Sequence, residues 1–147
     1  LGLSFGLSEL NCAFLYPQLQ EIQEVTDHRK TLWDTYYREL KELFQLDYKD
    51  VNDGNAHTFF IILKNEEAKN ELQNYLTNKN IQAVSHYHPL HSSKFGSSFN
   101  KNKFLVNSEK FGKCLLRLPL HRYLNIKDVK LITQSIKDFF NSDKVSA

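Results

Sequence analysis

Three histidines, a tyrosine and a proline lie close together in the middle of this 147-residue chain, where residues 81–91 read I-Q-A-V-S-H-Y-H-P-L-H. Imidazole nitrogens can bind a metal ion, hydrogen-bond a ligand or move a proton near neutral pH. Alternation along an extended chain would place His86 and His88 on one face and Tyr87 on the other. Residues 86–91, which we call the histidine segment, are therefore the first candidate for a functional site.

The residues alone leave three interpretations of the histidine segment open. The simplest is a strand that runs into a surface loop whose histidines are only solvated. A second is a metal site, because His86, His88 and His91 could supply three ligands, although no Asp, Glu or Cys lies close by in sequence. A third is a substrate-binding loop, which gains support only from a resemblance described below.

Short apolar runs are expected to position this segment. Residues 81–84 are typical of a buried strand, which should end near His88 because Pro89 cannot donate to a sheet and restricts the residue before it. Residues 57–63 and 115–120 predict two further strands. The long polar connection between residues 91 and 107 contains Phe95, Phe99 and Phe104, and Ser108 is expected to begin a short helical turn.

Helical periodicity predicts the remaining elements. Ser8 is a candidate N-cap of a first helix, which should kink or break near Tyr16 because of Pro17. Apolar residues at helical spacing between positions 32 and 44 indicate a core helix; an interaction protein is the alternative if that stripe is exposed. Asn65 can cap a third helix, and Asn125 with Asp128 resembles the capping box of the last one.

The order of these elements predicts an α+β fold in which helices cover one face of a short sheet of about three strands. At 147 residues the chain is one domain in size. It has no G-x-G-x-x-G and no P-loop. A net charge of +2 without a long basic run argues against a nucleic-acid partner, and no apolar run approaches the length that spans a bilayer.

The cysteine content and the start of the chain indicate the cellular compartment and whether the sequence is part of a longer protein. Two cysteines are too few for a disulfide framework, so we expect a cytoplasmic protein. The chain contains no Met and opens on an apolar stretch without a preceding partner. Both features lead us to expect a fragment of a longer protein.

Four blocks of sequence carry a resemblance to a known family: S-E-L-N-C-A-F-L-Y-P-Q-L from Ser8, N-A-H-T-F-F-I from Asn55, H-Y-H-P-L-H from His86 and L-L-R-L-P-L from Leu115. In this order they resemble the C-terminal part of DegT/StrS-type sugar aminotransferases, which depend on pyridoxal phosphate. The resemblance implies that residues 1–147 are the small C-terminal domain of a fold-type-I aminotransferase, without the large cofactor-binding domain.

The resemblance also implies roles for single residues. His86, Tyr87 and His91 match a segment that approaches the sugar nucleotide, so they are expected to bind substrate, whereas His88 inherits no role. Ser4 stands where relatives place an Asn that reaches the cofactor phosphate, so it is the expected cofactor-binding residue. For Arg117 we favour a structural ion pair. No residue is expected to ligate a metal.

The implied reaction converts a dTDP-4-keto-6-deoxy-hexose to its 4-amino sugar, with glutamate as amino donor, in a homodimer that serves surface-polysaccharide synthesis. A lysine must hold the cofactor as an imine. The lysines of this chain fall on predicted helix surfaces, in loops and in the tail, so no catalytic residue is assigned and the fragment is expected to be inactive. The alternative is a stand-alone nucleotide-sugar-binding or zinc-binding module built on the histidine segment.

Overall fold

A computed structural model describes residues 6–44, 54–99 and 105–142 of the chain. Their strands form one antiparallel sheet of β1 (Phe59–Ile62), β2 (Val84–Ser85) and β3 (Leu115–Leu118), with β3 in the middle. Arg117 of β3 lies opposite Phe60 of β1 and opposite Val84 of β2. Because β2 pairs through only two residues, the sheet is narrow where the histidine segment leaves it.

The described ranges contain six α-helices. They are α1 (Glu9–Gln20), α2 (Ile22–Phe44), α3 (Glu66–Asn78), α4 (Gly96–Phe99), α5 (Val106–Cys114) and α6 (Ile126–Asn141), and a 3-10 turn covers Leu90–Ser92. None of these helices is both long and apolar enough to cross a membrane.

The core lies between one face of the sheet and the helices α2, α3 and α6. Phe59 and Ile61 of β1 and Leu116 and Leu118 of β3 are fully buried on that face. The helices contribute a buried apolar set to the same core, namely Leu32, Tyr36, Leu40, Ala68, Leu72, Leu76, Val129, Ile132 and Ile136. The predicted α+β fold with a short three-stranded sheet is confirmed.

Local signals in the sequence located the main helices well. The side chains of Ser8, Asn65 and Asn125 all cap helices, and Asn125 with Asp128 forms the predicted capping box. The stripe of α2 is a core stripe as expected: Tyr36 is buried, and its hydroxyl donates to the carbonyl of Pro119 at 2.9 Å. Burial raises the pKa of the Tyr36 phenol far above its ordinary value.

The helix break expected as one alternative near Tyr16 is absent, and the bounds of the second strand were predicted wrongly. The first helix continues through Pro17 and ends at Gln20, because proline removes only the hydrogen bond to the carbonyl of Ala13, which is exposed and can be solvated. The second strand comprises only Val84 and Ser85, although Ile81 and Ala83 before it are buried. The apolar pattern in the sequence indicates which residues are buried, but it does not show whether they pair with another strand. Ile81 and Ala83 are buried without pairing in the sheet.

The connection after the histidine segment also differs from the expected long loop. It contains α4, and the nine-residue α5 begins at Val106, two residues before the predicted helical turn at Ser108. Phe104 lies outside the described residues.

Candidate functional site

Helix α3 anchors the chain just before the histidine segment. The ammonium of Lys69 donates to the hydroxyl of Ser85 at 3.0 Å, and the amide of Gln73 donates to the carbonyl of Ala83 at 3.1 Å. Lys69 is only 6% exposed, so the expectation that all lysines lie on surfaces was wrong for this one. A buried ammonium needs a polar partner, and Ser85 supplies one.

Helix α5 supports the segment from the other side. The imidazole Nε2 of His91 lies 2.9 Å from the carboxylate of Glu109, and both side chains are largely buried. The ring of Pro89 lies so close to Gly112 that an added Cβ would approach its Cδ and Cγ to 2.7 Å. Glu109 and Gly112 thus set the position of the segment, and sequence reasoning missed both.

His86 is the half-buried member of the segment. Its Nε2 is buried and has no hydrogen-bond partner among the described residues. Burial lowers the pKa of the imidazole, and the nearby charges of Arg117 and His57 lower it further. The lowered pKa favours the neutral form of the His86 imidazole.

Tyr87 and His88 face solvent. Tyr87 is 74% exposed, and the Nε2 of His88 lies 3.5 Å from the hydroxyl of Ser92, at the limit of a hydrogen bond. The predicted alternation of His86, Tyr87 and His88 was wrong, because the strand ends at Ser85 before reaching them. The three substrate candidates His86, Tyr87 and His91 are neighbours in sequence, but the structure places their side chains in different environments.

The zinc interpretation finds no support in this geometry. Within the described ranges, no group of three or more His, Cys, Asp or Glu side chains converges to hold a metal ion. His91 is bound to Glu109 instead of facing the other two histidines. A tetrahedral zinc site needs at least three converging protein ligands.

The described residues do not form a complete pyridoxal-phosphate site. Ser4, the expected cofactor contact, lies outside them. A cofactor lysine must reach an adjoining cavity, whereas the buried Lys69 is bound to Ser85. Lys79 lines a cavity of about 590 Å³, but it is exposed, and its ammonium lies 4.9 Å from the centre of the Tyr75 ring.

Exposed aromatic and aliphatic side chains surround the histidine segment. Leu90, Phe95 and Phe99 are each at least three-quarters exposed, and the rings of Phe95 and Phe99 meet edge to face at 5.0 Å. Exposed apolar side chains that cluster in this way are typical of a surface that other protein covers.

Curated relatives resemble most of the chain. It is 26% identical over 141 residues to the UDP-4-amino-4,6-dideoxy-N-acetyl-beta-L-altrosamine transaminase of Campylobacter jejuni, a match that covers 92% of this chain and 38% of that protein. It is 25% identical to the GDP-perosamine synthase of Escherichia coli O157:H7, over 98% of this chain and 39% of the relative. The chain therefore spans about two-fifths of the length of these relatives.

Solved structures share the fold. The Helicobacter pylori aminotransferase PseC matches with a TM-score of 0.82 at 23% identity, over 97% of this chain and 40% of that one. DesV from S. venezuelae, solved with a ketimine intermediate, matches with a TM-score of 0.81 at 21% identity, over 95% of this chain and 38% of that one.

A match to a protein-family model shows the family of this chain. The model of the DegT/DnrJ/EryC1/StrS aminotransferases, which depend on pyridoxal phosphate, matches residues 1–137. These residues include all four blocks on which the resemblance was based. The chain belongs to the DegT/DnrJ/EryC1/StrS aminotransferase family.

Proposed function

We propose that this chain acts as the small C-terminal domain of a pyridoxal-phosphate-dependent nucleotide-sugar aminotransferase. The observation that carries the proposal is the family match over residues 1–137. Relatives at 24–26% identity carry names of transaminases or synthases for amino sugars linked to UDP, dTDP or GDP. Our preferred reaction is the conversion of a dTDP-4-keto-6-deoxy-hexose to its 4-amino sugar, with glutamate as the amino donor.

Catalysis in this proposal needs residues beyond these 147. When bound, pyridoxal phosphate supplies the electron sink that lets an amino group move between two carbonyl carbons. We assign no catalytic lysine to this chain, and among the described lysines the buried Lys69 is engaged with Ser85. The 147-residue chain by itself should therefore not transaminate.

The proposed task of the described residues is to bind the sugar nucleotide. The imidazole of His86, whose buried Nε2 has no partner among the described residues, is the proposed hydrogen-bonding group for a sugar hydroxyl. The exposed ring of Tyr87 can pack on the sugar, and Glu109 holds the imidazole of His91 in one orientation. Ser4 is the proposed contact to the cofactor phosphate.

We also propose that the intact enzyme is a cytoplasmic homodimer that serves surface-polysaccharide synthesis. The exposed apolar residues of α1 and the aromatic patch beside the histidine segment support further protein contacts, because such surfaces are costly to leave in water. Sedimentation of the full-length enzyme tests the dimer.

The decisive experiment uses the full-length enzyme with pyridoxal phosphate, glutamate and dTDP-4-keto-6-deoxy-glucose. We expect formation of the 4-amino sugar and of 2-oxoglutarate, both measured by mass spectrometry. Parallel reactions with the UDP and GDP forms of the keto sugar assign the nucleotide. Absence of product with all three nucleotides would overturn the proposed reaction.

A matched pair of variants tests the substrate role of the segment. Tyr87→Ala should raise KM for the sugar nucleotide roughly tenfold, since it removes one ligand contact. Tyr123→Ala is the control, because Tyr123 is similarly exposed, at 82%, and lies outside the segment. Equal effects of the two variants would contradict the assignment. Tight binding of a dTDP-sugar by the 147-residue chain, without any turnover by the full-length protein, would favour the stand-alone binding module.

A further inference from the structure

We propose that Arg117 is an anion-binding residue, and that the cavity it lines receives an oxyanion of the substrates. The shared chemistry is that of a phosphate or carboxylate group, from either the diphosphate of a sugar nucleotide or the carboxylate of an amino donor. The choice between these two sources rests on the proposed function. The oxyanion itself follows from the surroundings of Arg117.

Arg117 occupies an unusual place for a cation. It lies on the central strand β3, on the sheet face opposite the core, with Phe60 and Val84 directly beside it on the neighbouring strands. Its side chain is half-buried. None of its side-chain nitrogens is among the buried unpartnered atoms, so the guanidinium is accessible to a ligand.

Two other cations of the described residues have a carboxylate partner. Arg122 lies 2.9 Å from the carboxylate of Glu21, and Lys137 is paired with Glu39. Arg117 forms no ion pair or side-chain hydrogen bond with any residue in the described ranges. The structural ion pair expected from the sequence is therefore not found there.

The nearest polar neighbours of Arg117 do not compensate its charge. His86 directly follows β2, in which Val84 lies opposite Arg117. The charge of Arg117 helps to lower the pKa of His86, which agrees with this placement. An imidazole carries no negative charge, so His86 does not neutralise the guanidinium of Arg117.

The adjoining cavity is large enough for such a ligand and carries a basic lining. It measures about 590 Å³ and is lined by Lys79 and His121 as well as by Arg117. Its one carboxylate belongs to Asp128, which already accepts from the backbone N–H of Asn125 at 3.0 Å in the capping box. A ligand with a negative group therefore meets more positive than negative charge at this site.

Calorimetric titration of the 147-residue chain tests the proposal, with inorganic diphosphate in one series and glutamate in another at fixed ionic strength. We expect saturable binding of at least one anion. Arg117→Met should weaken it about tenfold or more, since a charge-assisted contact is lost. Arg38→Met, which removes an exposed arginine from α2, should leave binding within about twofold.

The outcomes separate the two sources. Loss of diphosphate binding alone assigns the site to the nucleotide, and loss of glutamate binding alone assigns it to the amino donor. Arg117→Lys keeps the positive charge but loses the planar guanidinium, so it should bind the anion with intermediate affinity. This variant also tests the proposal if Arg117→Met does not fold. Unchanged affinity in the Arg117 variants, or no saturable binding of either anion, overturns the proposal. The titration needs neither cofactor nor turnover, so its failure is distinct from failure of the proposed reaction.

Discussion

Helices α1 and α6 begin in the same way but end in different surroundings. Ser8 caps α1 and Asn125 caps α6, each through its side-chain oxygen. Helix α6 buries Val129, Ile132 and Ile136 in the core, whereas α1 buries none of its residues. A helix can therefore be well specified locally and still lack a partner within the described residues.

The pattern of apolar residues explains the difference. Those of α6 lie on one side, which is enough to cover one face of the core. Those of α1, including Leu10, Phe14, Tyr16 and Leu19, lie on all sides and are exposed. A helix that is apolar all round is typical of one enclosed by protein. The contrast agrees with a chain that matches about two-fifths of its relatives' length.

The largest expected effect comes from truncating one apolar side chain in each helix. Ile136→Ala should lower the free energy of unfolding by about 2–5 kcal/mol, because it leaves a cavity in the core. Phe14→Ala should change it by less than about 0.5 kcal/mol, because Phe14 is 68% exposed. Urea unfolding of the 147-residue chain measures both, and a comparable loss in Phe14→Ala would show that α1 packs on the core in solution.

The histidine segment is an intermediate case, because α5 attaches it through a few contacts. Gly112→Ala should lower the free energy of unfolding by about 1–3 kcal/mol, since the new methyl group would clash with Pro89 and outweigh the helix preference of alanine. Gly6→Ala is the matched control, because nothing lies within 4 Å of the added Cβ. If both substitutions are neutral, the segment is not held against α5.

The N-caps of α1 and α6 allow the same comparison between the two helices, with a smaller expected effect. Asn125→Ala should lower the free energy of unfolding by about 1 kcal/mol, because the capping box stabilises the start of a helix that belongs to the core. Ser8→Ala should reduce helix content measured by circular dichroism but leave the free energy of unfolding unchanged. An equal loss in both variants would indicate that α1 and the core unfold together.

Sequence reasoning succeeded where the signal was local. The caps at Ser8, Asn65 and Asn125 and the buried stripe of α2 follow from side chains within one or two turns of each other. Strand pairing, by contrast, depends on residues that meet from distant parts of the chain. The burial of Ile81 was predicted correctly, but its lack of a strand partner was not.

The supports of the candidate site show the same limit. Glu109 and Gly112 lie about twenty residues after the segment that they contact, just beyond the polar connection and in the short helical turn expected from Ser108. No periodic pattern relates them to His91 or Pro89. The roles of His86, Tyr87 and His91 come from the resemblance, and they stay predictions, as does that of Ser4.

The smallest expected effect concerns two ion pairs. Lys137 of α6 hydrogen-bonds Glu39 of α2 and thereby lowers the pKa of that carboxyl from its ordinary value near 4.5. The pair therefore stabilises the fold above about pH 4.5, and this contribution is lost as the pH falls through the lower folded-state pKa. Glu39→Gln should lower the free energy of unfolding by about 0.5 kcal/mol at pH 7. Between pH 7 and pH 4 the variant should lose less stability than the unchanged chain, because it no longer has this carboxylate to protonate.

The pair between Glu21 and Arg122 is the control for this effect. It joins the α1–α2 junction to the start of the α6 region, and both of its side chains are about half exposed. Glu21→Gln should therefore change stability less than Glu39→Gln, because solvent and salt screen an exposed pair. Urea unfolding at pH 7 and pH 4 measures both variants. A larger cost for Glu21→Gln would mean that the junction next to α1 is tied to the core as firmly as α6, which would contradict the contrast between the two helices.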